Sequence, residues 1–477
     1  MIAAAALAAL KAALGRGGWL ELPEDLEPYL VDFRRLYRGR TPLVARPDSV
    51  EKVAAVIRIC HAERLGIVPH GGNTSYCGGA TPDDSGAEVV LSLARLNRVR
   101  SLDAVGYSMT LEAGCTLHAA QAAASSVARL FPLSLGSEAS CQIGGNLSTN
   151  AGGTAVLRYG MMRDLVLGLE VVLPDGRVLD QLRSLRKDNT GYDLKQLFLG
   201  AEGTLGVITA ACLKLFPAPD DYLTALVAVD GMAGAVELLG RTRSAFGDSI
   251  EAFEYLPRTA IELARAHLDG VVAPFDQPYP GAVLIELAAP RTLPELGTRF
   301  EEYLGAEIAA GRARDAVIAS SGLQRDAFWF LREHIPQAQT REGASIKHDV
   351  SLPIARLAEF VDAAERRLAE LAPAARIVGY GHVGDGNLHF NLSPPAGTEH
   401  GSAAEAAFRA LAPVVNRAIH DLVAALGGSF SAEHGIGQLK IGVLERYEDP
   451  VALSVMRDIK AALDPDGIMN PGKVLRR

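Results

Sequence analysis

The chain has little sulfur, and that sulfur forms no pattern. Its five cysteines, Cys60, Cys77, Cys115, Cys141 and Cys212, are odd in number, widely spaced and contain no CxxC pair. This excludes a disulfide framework and iron–sulfur ligation and points to a reducing compartment, read here as the cytoplasm. Long apolar runs are also missing, since no stretch approaches the roughly 20 residues that a membrane span requires. The alanine-rich opening from Met1 to Leu10 is followed, not preceded, by the positive charges Lys11 and Arg16, so it is read as a helix ending at Gly15. Positive charge is in deficit. Lys+Arg 47 against Asp+Glu 56 gives a net charge of −9, which argues against nucleic acid as a partner. The one basic cluster, Arg34-Arg35-Leu36-Tyr37-Arg38-Gly39-Arg40, is read as a solvated face. Repeats, low-complexity tracts and a GxGxxG turn placed directly between strand and helix are absent as well.

What remains is an ordinary globular composition, 48% hydrophobic and 22% charged over 477 residues, with room for about two or three domains. From Pro42 the pattern is α/β. Short strands at Leu43-Val44-Ala45, Ile67-Val68-Pro69, Val89 to Leu93 and Ser108 to Gly114 alternate with an amphipathic helix opened by Ser49. Pro217-Ala218-Pro219 is the clearest linker signal. Beyond it, strand-like runs (Leu223 to Val229, Ala282 to Leu287, Ile377 to Tyr380, Leu388 to Leu392) alternate with helices at Ala233 to Ser244, Pro294 to Ala309, Ile354 to Leu371 and Ala403 to Leu426, a second α+β domain.

Two glycine-rich loops, Gly71 to Gly79 and Leu135 to Gly153, mix Gly with Ser, Thr and Asn. Such turns let backbone N–H groups approach a diphosphate, and a pair of them in one α/β region suggests a large extended cofactor, with flavin adenine dinucleotide the natural candidate. Further on, Asp385-Gly386 between apolar residues reads as a two-residue hairpin turn. Under that register His382 faces His389, and Tyr380 faces Asn391. Opposed positions have Cβ atoms roughly 4.5–5.5 Å apart, close enough for two imidazoles to share one metal ion. The plain alternative is a hairpin carrying two partly exposed histidines. Ser431-Ala432-Glu433-His434-Gly435 adds a carboxylate, so that His382, His389 and Glu433 match a catalytic zinc site with one open position, other divalent metals accepting similar ligands.

In order, Pro69-His70-Gly71-Gly72-Asn73-Thr74-Ser75, Gly144-Gly145-Asn146-Leu147-Ser148-Thr149-Asn150-Ala151-Gly152-Gly153, Gly203-Thr204-Leu205-Gly206, Gly381-His382-Val383-Gly384-Asp385-Gly386-Asn387-Leu388-His389, Glu433-His434-Gly435 and Asn470-Pro471-Gly472-Lys473 resemble the motifs of the flavin-linked D-2-hydroxyacid dehydrogenases of vanillyl-alcohol-oxidase type. The similarity is greatest to D-2-hydroxyglutarate and D-lactate dehydrogenases and covers roughly residues 40–477. The resemblance implies an α+β architecture: a helical lead-in at 1–40, an FAD-binding domain at 41–217, an inserted substrate-cap domain at 218–425 that carries the metal hairpin, and a C-terminal segment at 426–477 that returns to the FAD domain.

It further implies that Pro69, His70, Gly71, Gly72, Asn73, Thr74 and Ser75 cradle the diphosphate. Other flavin contacts would come from Gly136, Ser137, Gly144, Gly145, Ser148, Asn150, Gly152, Gly206 and Ile208, with Asn470 near the ring. Asn73 stands where some relatives carry a flavin-linking histidine, so FAD is expected to be non-covalent; His70 replaces an arginine. The metal, Zn2+ or another divalent ion such as Mn2+, falls to His382, His389 and Glu433, and the general base to His434. Arg332 and Lys347 would hold the substrate carboxylate, with Asn391 beside them. Pro336 stands where the family often has a hydroxyl residue for a distal carboxylate, and Arg341 or His348 are candidates to replace it. The expected reaction is oxidation of a D-2-hydroxy acid, D-2-hydroxyglutarate favoured over D-lactate, with electrons passed to an electron-transfer flavoprotein or a quinone and homodimerisation left open. A flavoprotein transferase and an inactive partner subunit are the rival classes, and the metal set argues against both.

Overall fold

A computed structural model describes residues 2–289 and 292–476; Met1 of the expected first helix and Arg477 of the expected last segment lie outside the described residues. The chain forms two units. One gathers Met1–Gly153, Tyr159–Ala218 and Glu433–Arg477; the other comprises Thr154–Arg158 and Pro219–Ala432.

In the first unit the lead-in is part of the body. Helix Ala4–Leu14 ends at Gly15, whose φ of 72° suits glycine, and Leu10 and Leu14 are buried with Val53, Val56, Ile57 and Cys60 of helix Val50–Ala62. That second helix starts where Ser49 accepts from Lys52 N, a cap that contributes about 1 kcal/mol. Strand Glu88–Ser92 is buried along its whole length, with Val44–Ala45 and Gly66–His70 parallel to it on either side. Cover on both faces explains why Val89-Val90-Leu91 shows no polar alternation. A second, antiparallel sheet runs Val99–Asp103, Ser108–Glu112, Val207–Lys214, Val166–Val172, Val178–Gln181. The C-terminal segment closes this unit. Ile67 donates to Ile468 O at 2.8 Å and its carbonyl accepts from Asn470 N at 2.8 Å. Asp464, 2% exposed, shapes that turn by accepting from Ile468 N and Met469 N.

The second unit holds a four-stranded antiparallel sheet in the order Ile250–Pro257, Gly281–Ala289, Asp221–Val229, Asp315–Ile318. A three-stranded sheet follows, with Asn387–Ser393 between Asp349–Ser351 and Arg376–Tyr380. The strands Ile250–Pro257 and Asp315–Ile318 were not among those expected from the sequence. The helix expected from Ala403 to Leu426 is two, Ala403–Ala410 and Ala412–Ala425, because Pro413 is tolerated only in the first turn of a new helix.

The hairpin register departs from expectation by two residues. Tyr380 faces His389 and Val378 faces Asn391, so His382 lies beyond the ladder, in a six-residue loop. Asp385, Gly386 and Asn387 all donate to His382 O at 3.1–3.2 Å, and only Gly386 of the supposed turn pair has positive φ. Tertiary pairing overrides the local turn. Gly381, at φ 141°, exchanges both backbone hydrogen bonds with Tyr255, at 2.8 and 3.0 Å, and so leaves the hairpin for the edge of the four-stranded sheet.

Candidate active site

In the first unit the two glycine-rich loops meet. A Cβ on Gly72 would lie 2.1 Å from Ser140 O, so only glycine permits the approach, whereas Gly136 and Gly145 face open space. Asn73 adopts φ 52° and its Nδ2 donates to Val31 O at 2.8 Å, tying the lead-in to the first loop. Thr74 and Ser75 continue that loop, and Ser75 Oγ accepts from Cys77 N. Ser137 O accepts from Ser140 N and Cys141 N, while Gly144 N donates to Ala113 O and Ser148 Oγ returns to Gly144 O. Asn150 at φ 49° holds Arg163 N, and Gly206 packs against Val171. The Ile208 side chain points into the hydrophobic core, which leaves only its backbone for a ligand. Asn470, φ 41°, donates to Gly79 O at 2.9 Å and Glu202 O at 2.7 Å.

These residues fit a flavin nucleotide. The buried oxygens Gln142 Oε1, Asn146 Oδ1 and Asn470 Oδ1 make no hydrogen bond, and neither nitrogen of buried His70 makes one of normal geometry. Buried polar atoms without partners are rare unless a ligand supplies them. Burial lowers the His70 pKa to about 4, opposed by a backbone contact at Gly71, so the ring is neutral.

The same unit carries Glu433 and His434. Glu433 Oε1 accepts from Gly153 N at 2.9 Å, joining this segment to the end of the second glycine-rich loop, one residue after Gly152. His434 packs edge-on against Tyr76, ring centroids 4.6 Å apart. The loop after it is fixed by Glu202, which accepts from Ile436 N at 2.7 Å and Gly437 N at 2.9 Å; burial raises the Glu202 pKa and these N–H groups oppose the rise. The basic cluster is not uniformly solvated. Arg38 pairs with exposed Glu27, but Arg34 lies over the ring of Tyr76, 5.9 Å from its centroid.

In the second unit the edge pairing of Gly381 carries His382 to Glu254. Glu254 Oε1 accepts from His382 Nδ1 at 2.8 Å; Oε2 accepts from Arg332 Nε at 2.8 Å and lies 2.7 Å from its Nη2. Glu254 is 1% exposed, so burial raises its pKa, yet His382 and Arg332 outweigh this and hold it at about 2. The His382 and His389 ring centroids are 5.5 Å apart, Tyr380 packs on His389 at 5.2 Å, and the Arg332 guanidinium lies over the Tyr380 ring, 5.1 Å from its centroid. Asp349, opposite His389 in the sheet, brings Oδ1 to 3.9 Å from His389 Nδ1 and accepts from Asn387 Nδ2. At that distance the carboxylate is a charged neighbour of the ring and not its hydrogen-bond partner, and an imidazole beside a carboxylate is a donor set of the kind that divalent ions accept.

Asn391 Oδ1 accepts from His348 N at 3.1 Å and Nδ2 donates to Gln339 Oε1 at 3.0 Å, so one of its two N–H groups is used within the unit. Lys347 is half-buried just before strand Asp349–Ser351. The two residues offered as replacements for a hydroxyl at 336 are engaged elsewhere. His348 is locked between Phe390 O and Asn416 Oδ1, and Arg341 is exposed and bonded to His267 O. Glu254, Asp349 and Glu202 were not read from the sequence. The available signal was a lone carboxylate inside Ala252-Phe253-Glu254-Tyr255-Leu256, a run that otherwise reads as buried strand.

Comparison with known families agrees with this picture. Residues 41–181 match the FAD binding domain family and residues 218–474 the C-terminal domain of FAD linked oxidases. A Bos taurus D-2-hydroxyglutarate dehydrogenase is 42% identical over 95% of this chain and 80% of its own length. An Arabidopsis thaliana D-2-hydroxyglutarate dehydrogenase is 37% identical over 98% and 80%. A Saccharomyces cerevisiae D-2-hydroxyglutarate–pyruvate transhydrogenase is 33% identical over 95% and 90%. Among solved structures, p-cresol methylhydroxylase superposes with a TM-score of 0.76 at 18% identity, over 99% of this chain and 96% of its own. The bovine and Arabidopsis relatives are named as mitochondrial, which overturns the cytoplasmic expectation. Unpaired cysteines separate oxidising from reducing compartments and do not choose among reducing ones. With the flavin cradle, the fold and these relatives in agreement, the chain belongs to the FAD-linked D-2-hydroxyacid dehydrogenases of vanillyl-alcohol-oxidase type, an FAD-dependent oxidoreductase acting on the CH–OH group of a D-2-hydroxy acid.

Proposed function

We propose that the chain oxidises D-2-hydroxyglutarate to 2-oxoglutarate with the help of a divalent metal held by His382, His389 and Glu433. The observation that carries this is the compact group of Glu254, His382, His389 and Arg332, which sets two imidazoles beside a cation suited to a carboxylate.

When bound, FAD supplies the acceptor for the Cα hydrogen, taken as hydride at flavin N5, and the metal supplies a Lewis acid that lowers the pKa of the substrate hydroxyl. The protein's own residues do the rest. His434 takes the hydroxyl proton as general base. Arg332, oriented by Glu254, offers its guanidinium charge to the α-carboxylate and Lys347 a second charge. The remaining N–H of Asn391 is assigned to a substrate oxygen. Gly71 to Ser75 cradle the FAD diphosphate, and with Asn73 in the loop the cofactor is held without a covalent bond. An electron-transfer flavoprotein or a quinone takes the electrons onward.

One observation favours D-lactate as a second reading. Pro336 opens helix Ile335–Glu342, where its ring nitrogen has no proton to donate to a distal carboxylate. The test is anaerobic flavin bleaching with a panel of D-2-hydroxy acids, with and without chelator. Bleaching by D-2-hydroxyglutarate that chelator suppresses supports the first reading, bleaching by D-lactate alone selects the second, and bleaching indifferent to chelator removes the metal.

A further inference from the structure

We propose that Glu254 is a positioning residue of the reaction, a single carboxylate that holds the metal ligand His382 and the substrate cation Arg332 at a fixed distance from each other. The proposal rests on the metal reading above and extends it to a residue that touches neither substrate nor metal.

The placement follows from backbone register. Tyr255 and Gly381 are a bonded antiparallel pair, so the residues on either side of them, Glu254 and His382, are directly opposed, where Cβ atoms lie about 5 Å apart. The departure of Gly381 from the hairpin therefore has a consequence in side-chain chemistry, since it delivers an imidazole to a carboxylate 128 residues earlier in the chain.

The division of the carboxylate is informative. An arginine and a glutamate that only stabilise a fold commonly pair fork to fork, with both oxygens used on one guanidinium. Here Oε2 alone serves Arg332, through Nε and Nη2, and Oε1 is given to His382 Nδ1. An ionised carboxylate only accepts hydrogen bonds, so Nδ1 carries the proton and Nε2 bears the lone pair of the kind a metal binds. Arg332 Nη2 lies 3.4 Å from that same Nε2. Three groups thus form a closed triangle, all buried, with Glu254 at 1%, Arg332 at 5% and His382 at 7% exposure. Taking such charges out of water is costly unless each is paired, and replacement by apolar residues of like volume is often neutral or better for stability. A role in orienting two functional groups accounts for a carboxylate in this position where stability alone does not.

The test measures metal affinity in the purified flavoprotein, by competition for Zn2+ against a chromogenic chelator, in the parent and in Glu254→Gln, Glu254→Asp, His382→Ala and the Glu254→Gln, His382→Ala pair. Glu254→Gln keeps the shape but cannot accept from both partners, and it should weaken Zn2+ binding by about 10–100-fold, the range for lost outer partners of metal-bound histidine. Visible spectra of the Co2+-substituted protein should change with it, while flavin content stays constant. In the His382→Ala background the same substitution should have no further effect on Zn2+ affinity, because its route to the metal is gone. Glu254→Asp, one methylene too short to span both partners, should be intermediate, and it carries the test if the glutamine variant fails to fold. Parental Zn2+ affinity and Co2+ spectra in a folded Glu254 variant would overturn the proposal, as would an undiminished effect in the His382→Ala background. A parent protein that takes up no Zn2+ would overturn the metal reading first and this inference with it, so the two failures are told apart.

Discussion

Acid should destabilise the flavin-free first unit more than its carboxylates alone would, and His70 is the cause. Its ring is 6% exposed, and burial lowers the pKa from 6.5 to about 4. Between those values the unfolded chain binds a proton that the folded chain does not, so stability falls as pH falls. The contribution is intact above pH 6.5 and is lost as pH drops through about 4. A difference of about 2.5 pKa units at 1.36 kcal/mol each gives roughly 3 kcal/mol, against a domain stability of about 5–15 kcal/mol. The assay is urea unfolding at about pH 7, 5.5 and 4, followed by indole fluorescence in a Trp329→Phe background that leaves Trp19, in the first unit, as the only reporter. His70→Phe keeps a ring and cannot titrate. Parent and variant should both weaken in acid, and the parent should lose about 3 kcal/mol more between the two extremes. Parallel curves would refute a neutral, buried His70.

Four other outcomes are expected. His434→Ala should keep its metal and flavin and slow flavin reduction by about 100-fold or more in stopped flow, and reduction at the parental rate would remove it as general base. Gly145→Ala projects into open space within helix Ile143–Ser148, so the flavin-free chain should gain up to about 1 kcal/mol while FAD titration shows weaker binding; Gly72→Ala, aimed at Ser140 O, should instead lower thermal stability by about 1–3 kcal/mol. Unchanged FAD affinity in Gly145→Ala would take that residue out of the cradle. Lys347→Ala should raise KM strongly with a smaller effect on kcat, and an unchanged KM would exclude it from carboxylate binding.

The parts of this protein that were legible in its sequence are those fixed by local rules. Glycine-rich loops, the buried run Val89-Val90-Leu91, the Ser49 cap and the linker at Pro217-Ala218-Pro219 each carry their structural reason within a few residues. The close approach of His382 and His389 was foreseen, but for a different geometrical reason. A two-residue turn was expected to oppose them across the ladder; instead His382 sits in a six-residue loop and its ring meets that of His389 after Gly381 changes partner. No local rule announces that change, because the competing edge strand lies more than a hundred residues away and Tyr255 looks like any strand residue. Glu254 was missed for the same reason. Asp349 and Glu202 likewise acquire meaning only through residues far along the chain, one beside His389 and the other under the loop that follows His434.

The strand that carries Pro69 and His70 is completed by backbone bonds from Ile67 to Ile468 and Asn470. Roughly 400 residues must be translated between those partners, which takes about 20–80 s at ribosomal speeds of about 5–20 residues per second. During that interval the nascent nucleotide cradle has an open edge. That edge is therefore completed only after synthesis of most of the polypeptide, and a ribosome stalled late in the message would release a chain with every glycine loop present and Ile67 still without its C-terminal partners.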